Sequence, residues 1–249
     1  MDSREYEIMY QAEERHWWYL GMAAITEALI LRQIQPKRRL KILDAGCGTG
    51  AAMTTYLADY GDVTGVDLYA EAVTLSRKRN ASRLARASVL DLPLAPASFD
   101  LVTSFDVLYE RGVPDEACAL REFFRVLLPG GHVLMRLPAY DWLRGQHDER
   151  VHTRRRYTKG LLKSLLEGSG FHIVHLSYAN TLLFPLAVAK RLGEHFSPLR
   201  SERSDLTLDG TNEIFRRILS WEAPFVSRFG LPYGLSVFAV ARKNHEYRT

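Results

Sequence analysis

The sequence predicts a single α/β domain on a mostly parallel sheet, and three observations carry that expectation. Strand-like apolar runs alternate with helical segments from residue 41 to 139, as βαβ units require. The first of these runs ends in a glycine loop, ILDAGCGTG at 42–50. The 249 residues, 47% hydrophobic and 25% charged, are enough to bury a core of ordinary composition.

Residues 5–35 read as helical, with Ile25, Leu29 and Ile30 at helical spacing before Pro36 ends the pattern. KILDAG (41–46) is a buried strand running into the glycines, and AAMTTYLADY (51–60) is the helix that follows. DVTGVD (62–67) is the second strand, AEAVTLSRKR (70–79) the second helix of the alternation, and ARASVL (85–90) the third strand. FDLVTSF (99–105) is the fourth. DEACALREFFRVLL (115–128) places Leu120, Phe123, Phe124, Leu127 and Leu128 on a helix closed by Pro129-Gly130-Gly131, and HVLMRLPA (132–139) is the fifth strand. A helix over 158–170 with Thr158 at its N-cap, a strand over 171–179, a mostly helical insertion over 181–230 and a last strand over 234–243 complete the chain.

The two cysteines, Cys47 and Cys118, form no CxxC and no metal-like spacing, so a disulfide framework and a metal site are not expected. The N-terminus is polar and acidic where a signal peptide would be basic and then apolar, and no apolar run reaches the length of a membrane span. A cytoplasmic setting fits. The net charge of +4 and pI near 9.1 come from short clusters such as 37–39, 77–79 and 154–156. They read as solvated faces rather than a nucleic-acid stripe interleaved with aromatics, so a nucleic-acid partner is not expected.

The glycine loop has three candidate ligands. A triphosphate loop needs GxxxxGK, and GCGTGAAM has no lysine. A dinucleotide loop needs GxGxxG, and here the third glycine, Gly50, comes one residue early. Asp44, two residues before Gly46, is a poor neighbour for a pyrophosphate and a good one for a cationic amino-acid group. Acid-x-Gly-x-Gly-x-Gly after a strand closely resembles the signature of the class I S-adenosylmethionine (SAM)-dependent methyltransferases. Asp67 at the end of the second strand, VLDLPLAPASFDLV (89–102) and LREFFRVLLPGGHVLM (120–135) match that family's later segments, so the resemblance covers about 40–140.

The resemblance implies a Rossmann-like class I methyltransferase fold: a seven-stranded, mostly parallel sheet with an antiparallel last strand. One domain is expected over 1–249, with an N-terminal helical cap (1–38), a SAM-binding core (39–180), a helical insertion or lid (181–230) and a last strand with its tail (231–249). Backbone around Gly46 and Gly48 would contact the methionine part of SAM, Asp67 the ribose hydroxyls and Asp91 the adenine amino group, with Leu90 and Leu92 against the ring. Cys47, Leu68, Phe105 and Trp18 complete the expected SAM contacts, with S-adenosylhomocysteine as product and no metal. Asp100 reads as a structural residue at the start of strand four.

The acceptor is less well specified. Nucleobase amino-methylating relatives carry Pro-Pro-aromatic after strand four, whereas this chain reads SFDVLYERGVPDE (104–116). Many small-molecule relatives carry Glu-His there, and here Tyr109 and Glu110 stand instead. ERHWWYLGM (14–22) and residues 146–192 look like a narrower bacterial subgroup, many of whose members act in natural-product or glycolipid pathways. Related sequences often show an arginine near Met22. His16, Trp17 and Trp18 either form a lid over SAM and the acceptor or pin the first helix to the sheet. Trp17, Tyr109, Trp142 and Arg156 are candidate acceptor contacts, and His147, His152 and Tyr157 candidate catalytic groups, the histidines as general base. Arg155 and Arg156 either hold an acidic acceptor or form structural salt bridges. The insertion has three readings: core packing or a homodimer face, an apolar acceptor pocket, and shallow membrane contact over 182–193. The expected function is methyl transfer to a small-molecule acceptor at O or N. The alternatives are a non-catalytic SAM-binding protein and a nicotinamide-dependent oxidoreductase.

Overall fold

The computed structural model describes residues 3–145, 148–149, 151–189 and 211–244. Two helices open the chain, α1 (Ser3–Ala12) and α2 (Trp17–Leu29), the second continuing as a wider π turn, Ile30–Ile34. The expected continuous helix is broken at His16, whose ring Nδ1 accepts the Trp18 amide at 3.3 Å and so starts α2 afresh.

The core follows as β1 (Leu40–Ala45), α3 (Ala51–Thr54), α4 (Tyr56–Tyr60), β2 (Gly61–Asp67), α5 (Ala70–Lys78), β3 (Leu84–Arg86) and β4 (Phe99–Phe105). It continues through α6 (Glu116–Val126), β5 (Leu127–Pro138), α7 (Lys159–Gly168), β6 (Phe171–Ala179), α8 (Asn212–Phe229) and β7 (Ser236–Lys243). The single helix expected over 51–60 divides at Thr55, whose hydroxyl donates back to the Ala51 carbonyl at 2.6 Å. Helix α6 stops at Val126 rather than Leu128: Pro129 disfavours helical backbone at Leu128, and Leu127 is already extended and pairs with Phe99. At the other end of α6, Asp115 caps the Cys118 amide at 3.1 Å.

The seven strands run in the order β3-β2-β1-β4-β5-β7-β6. All pairings are parallel except those of β7, which lies antiparallel between β5 and β6. The order reverses between β1 and β4, and the carboxyl ends of these strands therefore border the crevice where open α/β sheets bind ligands.

The sheet is covered on both faces, as parallel strands require. On one side Leu43, Val102, Val133 and Met135 pack with Leu120 and Phe123 of α6 and Leu162 and Leu166 of α7. On the other, Ile42, Leu101, Leu134 and Phe238 pack with Met22 and Ile25 of α2 and Leu219 and Val226 of α8. Helices α2 and α8 approach closely because Gly21 has no Cβ; one built there would lie 2.5 Å from Leu219 Cδ2. Leu219 is fully buried at this crossing. Leu219→Ala is therefore expected to lower stability by about 3 kcal/mol, read as a lower urea midpoint with the slope unchanged.

Part of the 181–230 insertion is helical, at 184–189 and in α8; residues 190–210 lie outside the described residues. The outer face of α8 exposes Trp221, Phe225 and Phe229. Among the described residues, no helix is long and apolar enough to cross a membrane.

Candidate active site

The loop after β1 is shaped by three left-handed glycines and by hydrogen bonds of its main chain. Gly46, Gly48 and Gly50 have φ of 85, 55 and 81°, in the left-handed region that glycine adopts without strain. The amides of Gly46 and Cys47 both donate to the Val66 carbonyl, at 2.7 and 3.0 Å. Gly48 donates to Asp67 Oδ2 at 2.9 Å, and its carbonyl accepts the Ser76 hydroxyl at 2.9 Å. A Cβ added at Gly48 would meet only Met9 Cε, at 3.2 Å, so this edge of the loop is open.

Two carboxylates stand beside the loop. Asp44, on β1, is buried and accepts the Thr103 hydroxyl at 2.8 Å. Burial pushes its pKa up to about 6 against that hydrogen bond. Asp67 ends β2, and its Oδ1 accepts the Tyr69 amide at 3.0 Å while Oδ2 accepts Gly48. Burial raises Asp67 as well, opposed by these backbone bonds.

Both carboxylates line one cavity of about 1220 Å³. Its roof comes from α1, α2 and α8. Trp17 stacks edge-on against Phe215 with ring centroids 5.4 Å apart, and its amide donates to Asn212 Oδ1 at 2.8 Å, fastening the two helix starts together. Glu13, beyond α1, hydrogen-bonds the Thr49 hydroxyl and lies 3.3 Å from Arg79. Burial raises Glu13 to about 7, and Glu110, on the loop after β4, likewise to about 7, with the Asp67 and Asp106 charges adding to its shift. Arg136, near the end of β5, projects into the cavity wall. Its Nε donates to Asp106 Oδ2 at 2.7 Å, and its guanidinium carbon lies 4.6 Å from the Trp18 ring centroid and 5.2 Å from that of Phe105.

Among the residues expected to bind SAM, Asp44, Gly46, Cys47, Gly48, Asp67, Leu68, Phe105 and Trp18 line this cavity together. Leu90, Asp91 and Leu92 do not. Strand β3 stops at Arg86, and a turn closed by Asp91 N to Ser88 O at 3.2 Å leaves the Asp91 side chain in solvent. Ser88 and Val89 reach the cavity in their place. The Leu92 amide is committed to Glu122 at 2.8 Å. Asp100 is structural, accepting Arg38 at 2.6 Å and the Lys41 amide at 2.8 Å.

Of the acceptor candidates, Trp17, Tyr109 and Arg156 line the cavity, whereas Trp142 is exposed away from it beside Phe184. Arg156 is held in a two-pronged ion pair with Asp148, at 2.8 and 3.0 Å, and Arg155 lies 2.5 Å from Glu116. Tyr157 is fully buried, and its hydroxyl lies 2.9 Å from Leu108 O and 2.8 Å from Glu116 Oε1, either of which can accept its one proton; this ties it to the core rather than the cavity. His152 is exposed and off the cavity, and His147 lies outside the described residues. Met22 is fully buried in the core.

Sequence reasoning passed over Arg136, Glu13 and Phe215. Arg136 had a signal, since it is the one charged side chain within the apolar run VLMRLP. The other two reach the cavity only through the docking of α1 and α8, which no local pattern announces.

Residues 43–135 match the family model described as a methyltransferase domain. The glycine loop, Asp44 and Asp67 lie within that match, whereas β6 and β7 lie beyond it. The chain has the core and fold of the class I SAM-dependent methyltransferases.

A demethylmenaquinone methyltransferase of Staphylococcus aureus is 34% identical over 112 residues, covering 42% of this chain and 46% of that protein. The match thus spans about half the length of that curated relative. A SAM-dependent methyltransferase from Mesorhizobium loti superposes with a TM-score of 0.57 at 20% identity, over 90% of this chain and 97% of that one. The [4+2]-cyclase SpnF superposes with a TM-score of 0.57 at 20% identity, over 89% and 81%. At such identities the likeness is one of fold. This methyltransferase core is a scaffold on which more than one chemistry is built.

Proposed function

We propose that the chain transfers a methyl group from SAM to a small-molecule acceptor, at O or N. The observation that carries this reading is the open edge of the loop at Gly48, flanked in one cavity by the buried carboxylates Asp44 and Asp67. The residues present fit the cofactor. Asp44 suits its ammonium group, and Asp67 retains lone pairs on both oxygens for the two ribose hydroxyls. Ser88, Val89 and Leu68 border the space left for the base. When bound, SAM supplies a methyl group on a sulfonium leaving group.

The chain's own part is then alignment and exclusion of water, and orientation alone can lower such a barrier by several kcal/mol, on the order of 7 in favourable cases. Trp17, Trp18 and Phe215 close the cavity from above. Glu110, raised to about 7 by burial, lines the same cavity and is the candidate to accept a proton where the acceptor is an O–H or N–H. The apolar wall formed by Trp17, Leu183, Leu186 and Phe215 suits an apolar or aromatic acceptor, in keeping with natural-product or glycolipid metabolism.

The decisive experiment incubates the protein with deuteromethyl SAM and small-molecule extract, followed by mass spectrometry. One labelled product with equimolar S-adenosylhomocysteine is expected. SAM binding without any such product would favour a second reading, a non-catalytic SAM-binding protein; the exposure of His152 and the core role of Tyr157 favour that alternative. Absence of SAM binding in calorimetry would remove both.

Asp44 also predicts a pH dependence. It must be ionised to pair with the ligand's ammonium, and its pKa stands near 6. SAM affinity is expected to fall about tenfold from pH 8 to pH 5, and Asp44→Asn to flatten that profile. The ligand-free protein has the opposite sign. A raised carboxyl pKa favours the folded state below its unfolded value, and that contribution disappears as pH climbs through 6.

A further inference from the structure

We propose that Arg136 holds the carboxylate at the amino-acid end of SAM and makes the site select nucleosides that keep that group. The inference rests on the methyl-transfer reading and deepens it.

The cavity wall is acidic, with Asp44, Asp67, Glu13, Glu14 and Glu110 among its residues. Such a wall attracts an ammonium or a sulfonium and repels a carboxylate. SAM carries both kinds of charge on one carbon, so a cation must stand close to Asp44. Among the described residues, the lysines and arginines that line the cavity are Arg136, Arg156 and Arg216. Arg156 has two of its nitrogens on Asp148, and Arg216 is occupied by Glu213 at 2.7 Å on both prongs. Arg136 uses only Nε, on Asp106; its two terminal nitrogens make no hydrogen bond among the described residues. Its side chain is 8% exposed. Its terminal nitrogens are open to the solvent of the cavity, so a carboxylate can reach them without displacing a protein partner.

The sheet puts this fork on the same side as Asp44. Asp44 is in register with Thr103, Thr103 with Leu134, and Arg136 follows two residues later on β5. Alternate residues share a face, so Asp44, Thr103, Leu134 and Arg136 all point toward α2. The lateral offset is two strand spacings, about 10 Å between backbones, a gap that an arginine side chain and an α-amino acid fill together. Electrostatics agrees, since the Arg136 charge acts on Asp44 and draws its pKa down against burial. The Trp18 and Phe105 rings both lie against the guanidinium, and together with the Asp106 bond they restrain it. Helix α2 offers Trp17, Trp18, Tyr19, Leu20 and Ala23 to the cavity, none of them cationic.

The test is calorimetric binding of SAM and of decarboxylated SAM to the wild-type chain, Arg136→Gln and Arg136→Lys, with thermal melting to confirm that each is folded. The wild type should prefer SAM over the decarboxylated form by about 30-fold. Arg136→Gln should lose that factor for SAM while binding the decarboxylated form within about twofold of the wild type, and Arg136→Lys should recover part of it. Equal losses for both ligands would overturn the proposal, since they would mark Arg136 as a purely structural partner of Asp106. Undiminished SAM binding in Arg136→Gln would also overturn it and leave the fork for an anionic acceptor. A wild type that binds neither nucleoside removes the methyl-transfer reading itself, whereas one that binds both alike removes only the role of Arg136.

Discussion

Gly46→Val is expected to abolish measurable SAM binding and to lower folding stability by about 4 kcal/mol. Two costs add. At φ of 85° a β-branched side chain is strained, and a Cβ at this place would lie 2.2 Å from Val107 Cγ2. Relief requires Val107 to move or the backbone to rotate out of the left-handed region. Rotation breaks the paired amide bonds of Gly46 and Cys47 to Val66 that shape the loop. Urea denaturation and calorimetry read the two losses separately. Gly168→Ala is the control, because a Cβ there meets nothing within 4 Å. A Gly46→Val protein that bound SAM like the wild type would sink the assignment of the loop.

Asp67→Ala should weaken SAM about 100-fold. The carboxylate does two things at once. It organises the loop by accepting the Gly48 and Tyr69 amides, and it presents its remaining lone pairs to the proposed ribose hydroxyls. Alanine leaves both amides without that partner and removes the acceptor as well. Asp67→Asn keeps one carbonyl oxygen, so an intermediate loss is expected. If affinity were unchanged in both variants, the ribose would have to lie elsewhere.

The strands were legible where apolar runs are long and bounded, as at Phe99–Phe105 and Phe171–Ala179. β3 was overestimated because an edge strand pairs on one side only, and the Ser88 turn ends it early. That shortening is also why Ser88 and Val89, rather than Asp91, face the cavity. Asp44 and Asp67 were readable from their positions relative to the glycines, since a strand tip fixes where a side chain emerges. Glu13 was not, because it arrives at Thr49 through the packing of α1 on α5, anchored by Arg79. The arginines of 154–156 were visible as a cluster, but only tertiary structure assigns Arg156 to Asp148 and Arg154 and Arg155 to Glu116.

The insertion of β7 between β5 and β6 carries α8 back across the sheet to meet the start of α2. The ceiling over the crevice is thereby assembled from the two far ends of the chain, while the floor belongs to its middle. Ceiling and floor can accordingly drift at different speeds under selection. Changes near Trp17, Leu186 and Phe215 would reshape the ceiling and leave the glycine loop with Asp44 and Asp67 as they are, so under the proposed function a new acceptor could be recruited without relearning how to grip the donor.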